Sequence, residues 1–213
     1  MPALLVDFDG TLADSLAAMR LAFHNFIAAH GGDPQDFSFA RFNGPPLIEI
    51  VRTLKAELSL TGEVSALMAD YEAGIDRVYA EVRPSAGAAD LLASAKRRQW
   101  LVAVVTSNSR ERLNSWLKQH KLNDLCDLLV CGEDVTRGKP WPDPYLAALR
   151  QGSVAAGDAI AVEDSAQGAH AALAAGIATY GYQPADRPKQ DWPAGVTEIE
   201  AFAMLESRLF GHE

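Results

Sequence analysis

The sequence predicts an α/β protein: a doubly wound parallel sheet with an all-helical domain inserted after its first strand. Three observations carry that expectation. The chain opens on a short apolar run, Leu4-Leu5-Val6, which stops at Asp7-Phe8-Asp9-Gly10-Thr11. From Pro84 onward, short β-branched runs alternate with helical patterns, the arrangement that builds a parallel sheet. Between these, residues 15–83 carry helical spacing throughout and no strand pattern. The expected division is 1–14 with 84–213 as the α/β core and 15–83 as the helical domain.

The first run is short and apolar on both faces, as in a strand buried inside a parallel sheet. Asp14-Ser15 can cap a helix through about His30, with Leu16, Met19, Leu21, Phe23, Phe26 and Ile27 on its apolar surface. Gly31-Gly32-Asp33-Pro34 ends it, and a short helix is expected over Phe37–Phe42. Asn43-Gly44-Pro45-Pro46 then breaks the chain before a helix from Leu47 to Leu58. Thr61 is expected to open a long helix to about Val82, with Leu67, Tyr71, Ile75 and Val78 at helical spacing. In the second half, helices are expected over Ala86–Arg98, Arg110–His120, Asp143–Gln151, Ser165–Ala175 and Ala201–Phe210. Strands are expected over Leu101–Val105, Asp127–Cys131, Ala159–Val162 and Ile177–Tyr180. Gln183 to Gly195, with its prolines and charges, reads as the loosest segment.

Composition bounds the function. Of 213 residues, 48% are hydrophobic and 22% charged, and the net charge is −9. That balance supplies no basic excess to offset phosphates, which argues against nucleic-acid or anionic-membrane binding. A single phosphorylated small molecule remains compatible with it. No apolar stretch approaches the roughly 18 residues that span a bilayer, and Met1-Pro2-Ala3 opens no signal peptide, so a cytoplasmic location is expected. Cys126 and Cys131 read as buried thiols, with a disulfide left open and any redox role not legible. The oligomeric state is not legible.

Four segments carry residues suited to phosphate chemistry, and each also has a plainer reading. Asp7 and Asp9 stand at the exit of the first strand, where close carboxylates recruit a cation or keep a proton. Mg²⁺ suits such oxygen ligands, but Asp9-Gly10 equally reads as a turn. Thr106-Ser107-Asn108 offers a hydroxyl and amides for phosphoryl oxygens, or an N-cap. Lys139, between Gly138 and Pro140, can aim an ammonium at a site, or sit in solvent as most lysines do. Glu163-Asp164 could complete a metal site with Asp7, or cap the helix that Ser165 begins. Each segment lies at the carboxyl end of an expected strand or in the loop after it, so a doubly wound sheet gathers all four at one edge.

In order and type these segments resemble the haloacid dehalogenase-like hydrolase superfamily, in its phosphatase branch with a helical cap. The stretches that carry the resemblance are Asp7-Phe8-Asp9-Gly10-Thr11-Leu12-Ala13-Asp14-Ser15, Thr106-Ser107-Asn108, Lys139-Pro140-Trp141-Pro142-Asp143 and Glu163-Asp164-Ser165-Ala166-Gln167-Gly168. It extends from Ala3 to about Gly181. It implies Asp7 as the nucleophile that forms an aspartyl-phosphate, and Asp9 as general acid and base, its backbone carbonyl also a metal ligand. It implies Thr106 as the phosphate-binding hydroxyl, with Ser107 and Asn108 beside it, and Lys139 as the neutralising cation. Asp164 matches the metal-binding carboxylate, and Glu163 would hold a metal-bound water. Gly10 would let the chain turn beneath the phosphate. Asp9 speaks against a dehalogenase, which lacks that acid. Sugar-phosphate mutases of similar form carry an arginine where this chain has Leu47, though Arg41 or Arg52 could substitute. The Gly44-Pro45-Pro46-Leu47 turn is most similar to phosphoglycolate phosphatases. The expected function is therefore a Mg²⁺-dependent phosphomonoester hydrolase for a small soluble phosphate, phosphoglycolate first. A mutase or a non-catalytic binder of a phosphorylated metabolite are the alternatives.

Overall fold

The computed structural model describes residues 1–42 and 45–211. Asn43 and Gly44, in the expected break before the third helix, lie outside the described residues. The chain divides into two compact units, one formed by Met1–Asp14 with the chain from Arg83 onward, the other by Ser15–Val82. In chain order the elements are β1 (Ala3–Val6), α1 (Leu16–Ala29), α2 (Phe39–Phe42), α3 (Leu47–Glu57), α4 (Val64–Tyr79), α5 (Ala88–Arg97), β2 (Leu101–Val105), α6 (Arg110–Gln119) and β3 (Leu128–Val130). They continue with α7 (Asp143–Gly152), β4 (Ala159–Glu163), α8 (Ala166–Ala174), β5 (Ala178–Tyr182), β6 (Thr197–Ile199) and α9 (Phe202–Phe210).

Among the described residues the strands form one parallel sheet in the order β3-β2-β1-β4-β5-β6. This is the doubly wound arrangement, in which the strand order reverses at β1 and β4. β1 is central because all four of its residues are apolar and fully buried, which only a strand covered on both faces tolerates. Val6 lies level with Val104 of β2 and Val162 of β4, so the three carboxyl ends are flush. On one face Leu5, Ala103, Val105, Val130 and Ala161 pack with Tyr145 and Ala148 of α7 and Ala171 and Ala172 of α8. Alternation sends Leu4, Val6, Val102 and Val104 to the other face, where α5 packs on β2 and α9 on α5.

Three differences from the sequence reading have physical causes. A further strand, β6, was not expected: Thr197 and Glu198 are exposed and only Ile199 is buried, so no apolar run announces it. It is recruited as an edge by pairing with β5, Tyr180 with Thr197 and Tyr182 with Ile199. β5 itself begins one residue later and ends two residues later than the expected strand. The segment expected to be loose, from Gln183 to Gly195, is tied down. Gln183 N donates to Ile199 O at 2.8 Å, and Trp192 packs so closely on Gly181 that a Cβ there would lie 2.7 Å from its ring.

Among the described residues the elements of the Ser15–Val82 unit are all helical, with a 3-10 turn over Pro34–Asp36 where only a helix stop was expected. The Asp33 side chain caps that turn by accepting from Gln35 N at 2.9 Å. α4 begins at Val64 rather than Thr61, and α2 is shorter than the expected helix. α1 packs on α4 through the stacked rings of Phe26 and Tyr71, 4.9 Å apart. Phe23 lies 5.0 Å from the ring of Phe42, so these aromatics form the unit's own core. Within the first unit, the segments flanking this insert run antiparallel: Asp14 N donates to Arg83 O and Ser85 N to Leu12 O, both at 2.9 Å. Among the described residues no helix is long and apolar enough to cross a membrane.

Candidate active site

The site is built where β1, β2 and β4 end flush. Asp7 N donates to Val162 O at 3.0 Å, which carries the ladder one residue past β1 and leaves the Asp7 side chain at the edge, 7% exposed. Phe8 turns the other way, fully buried against Trp116 with ring centres 5.1 Å apart. The chain then folds back tightly: Leu12 N donates to Asp7 O at 3.2 Å and Ala13 N to Phe8 O at 2.8 Å. Gly10 sits at φ +76°, a left-handed conformation that explains a glycine there.

Lys139 is the residue that the sequence least obliged to be here. It is 7% exposed, and its Nζ donates to Asp7 Oδ1 at 2.6 Å and to the carbonyl of Val105 at 2.9 Å. The same ammonium lies 2.5 Å from Glu163 Oε1. Burial pulls the ammonium's pKa down, but the carboxylates of Asp7 and Glu163 outweigh it and raise it above the ordinary lysine value. Lys139 is therefore a fixed charge.

Glu163 and Asp164 leave β4 side by side. Glu163 is fully buried and accepts from the Tyr145 hydroxyl at 2.5 Å. Burial, then the charge of Asp7, pushes its pKa up to about 7. Asp164, 6% exposed, is raised well above the carboxylate range, first by burial and then by Asp7 and Glu163. Its Oδ2 accepts no hydrogen bond among the described residues. Carboxylate oxygens of Asp7, Glu163 and Asp164 lie within 4.8 Å of one another. Three hard oxygen donors, one of them buried and unsatisfied, fit a divalent cation.

The remaining expected residues are placed as follows. Asp9 is half-buried, and its Oδ2 accepts from Asn108 Nδ2 at 2.9 Å. Asn108 Oδ1 in turn accepts from Ser109 N and Arg112 Nη1, so the asparagine holds the acid rather than lying open to a phosphate. Thr106 is buried with its Oγ1 accepting from Asn108 N at 2.9 Å, and Ser107 is exposed. Leu47 opens α3 in the other unit and is half-buried.

Sequence reasoning missed four positions. Tyr145 orients Glu163. Gly168 admits it, because a Cβ there would lie 2.0 Å from Glu163 Oε2. Gly132 lets the Ser107 carbonyl approach, 2.6 Å from where a Cβ would stand. Arg187 Nη1 donates to Gly10 O at 2.5 Å. Gly168 closed a recognised segment without being given a role, Gly132 followed the expected strand Asp127–Cys131, and Arg187 lay in the segment that read as loose.

The order of these groups along the chain matches a known family from Leu4 to Tyr182, that of the haloacid dehalogenase-like hydrolases. The chain belongs to that family. Hexitol phosphatase A of Escherichia coli is 32% identical, over 87% of this chain and 85% of that protein. Phosphoglycolate phosphatase of Cupriavidus necator is 29% identical, over 96% and 89%. The crystal structure of CbbY from Rhodobacter sphaeroides with xylulose-(1,5)bisphosphate superposes with a TM-score of 0.80 at 27% identity, covering 96% of each chain. The haloacid dehalogenase-like relatives so named are phosphatases, and the reaction class is phosphoric monoester hydrolysis of small metabolites.

Proposed function

We propose that this haloacid dehalogenase-like hydrolase cleaves a small phosphorylated metabolite through an aspartyl-phosphate on Asp7, with Mg²⁺ as its metal. The observation that carries the reading is the buried Lys139–Asp7 contact at 2.6 Å beside the carboxylates of Glu163 and Asp164. A carboxylate is a poor nucleophile toward a phosphate dianion until the phosphate's charge is offset. Mg²⁺ held by Asp7 and Asp164, with Glu163 behind them and the Asp9 carbonyl as a further ligand, would supply that offset from oxygen donors it prefers.

In this reading Lys139 neutralises charge on Asp7 and on the phosphoryl group as it transfers. Thr106, Ser107 and the backbone at Gly10 receive the phosphoryl oxygens. Asp9 protonates the leaving oxygen, and the Asn108 amide keeps its carboxyl aimed. The phosphoryl group moves from substrate oxygen to an Asp7 carboxylate oxygen. Asp9, now a carboxylate, takes a proton from water, which attacks the aspartyl-phosphate and releases phosphate. The convergence of Asp7, Asp9, Lys139 and Asp164 supports an enzyme over a non-catalytic binder. The Ser15–Val82 unit is the cap domain of this proposal, and Leu47 is its residue for substrate preference.

Phosphoglycolate is the first substrate proposed, with sugar and sugar-alcohol phosphates next, since relatives act on those classes by name. A panel of these phosphates, assayed with Mg²⁺ and with chelator, tests the reading. Release of phosphate from one class with at least tenfold preference, abolished by chelation, is expected. Leu47→Arg should change the order of preference while the Mg²⁺ requirement persists. No release from any member, or full activity in chelator, would overturn the proposal.

A further inference from the structure

Arg187 lies in a stretch with no regular secondary structure, yet its side chain is only 14% exposed and both of its terminal nitrogens donate. Nη1 donates to Gly10 O at 2.5 Å and Nη2 to Asp14 Oδ1 at 3.1 Å, so one guanidinium spans both ends of the turn that follows the nucleophile. Its plane lies over the Tyr182 ring at 5.2 Å. Nη1 also faces Asp164 Oδ2 at 3.8 Å, too far for a hydrogen bond.

The segment that carries Arg187 is itself braced. Arg187 N donates to Pro184 O at 3.0 Å. The buried Gln183 side chain donates to Pro188 O at 3.1 Å and accepts from Gln190 N at 2.9 Å. Gln190 Nε2 then donates to the Asp164 carbonyl at 3.3 Å. The bracing runs from the end of β5 to the exit of β4, and Arg187 closes it onto the exit of β1.

We propose that Arg187 is a positioning residue for the cation site: it fixes the Gly10 turn relative to Asp164, so that the carboxylates meet a divalent ion in one arrangement. The inference rests on the metal reading above. Arg187's charge by itself would repel a cation. Asp14, paired with Nη2, offsets that charge, and the direct bonds are to the turn rather than to Asp164. Ordering of the ligands therefore outweighs repulsion. Outer contacts of this kind are worth about 10- to 100-fold in metal affinity.

The test is Mg²⁺ binding to the full chain by calorimetry, without substrate, on wild type, Arg187→Gln, Arg187→Lys and Asp14→Asn. Arg187→Gln is expected to weaken Mg²⁺ binding about 10- to 100-fold while circular dichroism in chelator stays unchanged. Arg187→Lys should not restore affinity, because an ammonium keeps the charge but not the fixed fork that serves Gly10 and Asp14 together. Asp14→Asn, at an exposed carboxylate, should weaken binding by unmasking the guanidinium. Tighter or equal Mg²⁺ binding by Arg187→Gln overturns the inference, as does full affinity in Arg187→Lys. If Arg187→Gln does not fold, wild-type affinity in both other variants overturns it. Absence of Mg²⁺ binding in wild type overturns the metal reading and this inference together, whereas binding that Arg187→Gln leaves unaltered overturns this inference alone.

Discussion

Asp7 acquires its chemical character from a lysine 132 residues further along the chain, buried against it at 2.6 Å. Replacing Asp7 by Asn keeps the shape and the ladder bond to Val162 but removes the oxyanion that the proposed mechanism uses to attack phosphorus. Turnover should fall by about 10³ or more, measured as initial rate on the best substrate of the panel; retention of a tenth of the rate would rule out the aspartyl-phosphate. Gly168 gives a second expectation at this scale. A methyl group there would lie 2.0 Å from Glu163 Oε2, and Glu163 cannot retreat, since Tyr145 and Lys139 hold its other oxygen at 2.5 Å. Gly168→Ala should lower kcat about tenfold or more through displaced Lys139. A kcat equal to wild type would show that the Glu163 contact is not needed. The two cysteines, by contrast, are free, and burial pushes Cys131 up to about 11 and Cys126 to about 12. Neither has the lowered pKa of a reactive thiol.

Helix starts decide several of these placements. The sequence let Glu163-Asp164 cap the helix that Ser165 begins, and the structure gives the cap to Ser165 itself: its Oγ accepts from Gly168 N at 3.1 Å. The cap fixes the first turn of α8, and with it the glycine that Glu163 lies against. Ser165→Ala should cost about 1 kcal/mol in urea unfolding and should also lower kcat; a loss of stability with kcat untouched would separate the cap from the site. Ser109 acts likewise for α6, accepting from Arg112 N at 3.3 Å. Ser15, which the sequence offered as a cap for α1, makes no side-chain cap bond. The difference lies in local geometry. Ser109 and Ser165 are extended, at ψ 148° and 146°, which turns the hydroxyl toward the open amides, whereas Ser15 is already helical at ψ −10°.

The whole molecule shows its chemistry in how stability follows pH. In the metal-free protein, burial raises the pKa of Glu163 to about 7, and that of Asp164 well above its ordinary value. The unfolded chain releases these protons near pH 4. Between about pH 4 and 7 the native state thus binds more protons than the unfolded state, and stability falls as pH rises through that window. Asp134, whose pKa is lowered, acts below this range and does not reverse the sign. The thermal midpoint in chelator should therefore rise as pH is lowered from 7.5 to about 5.5. Saturating Mg²⁺ should raise the midpoint at pH 7.5 and flatten the slope, because a cation stabilises the charged carboxylates. A chelated protein whose midpoint is highest at pH 7.5, or a midpoint that Mg²⁺ does not move, would count against the buried carboxylates as a cation site.

The sequence by itself determined five of the six sheet-forming runs, the helical insert between residues 15 and 83, and the polar segments that end at the carboxyl edge of the sheet. These are local signals. An apolar run ending in Asp7-Phe8-Asp9-Gly10, or the periodicity of Leu67, Tyr71 and Ile75, is written in residues a few positions apart. Tertiary structure alone decided what those segments are next to. Lys139 could have been a surface lysine, and it is buried because Asp7, Glu163 and Val105 together replace the water it gives up. β6 exists because β5 presents an edge, since its own residues are mostly exposed. Arg187 had no signal, its partners Gly10 and Asp14 being 177 and 173 residues away. A charge can be buried only where distant groups compensate it, and that compensation is a property of the fold, not of any window of sequence.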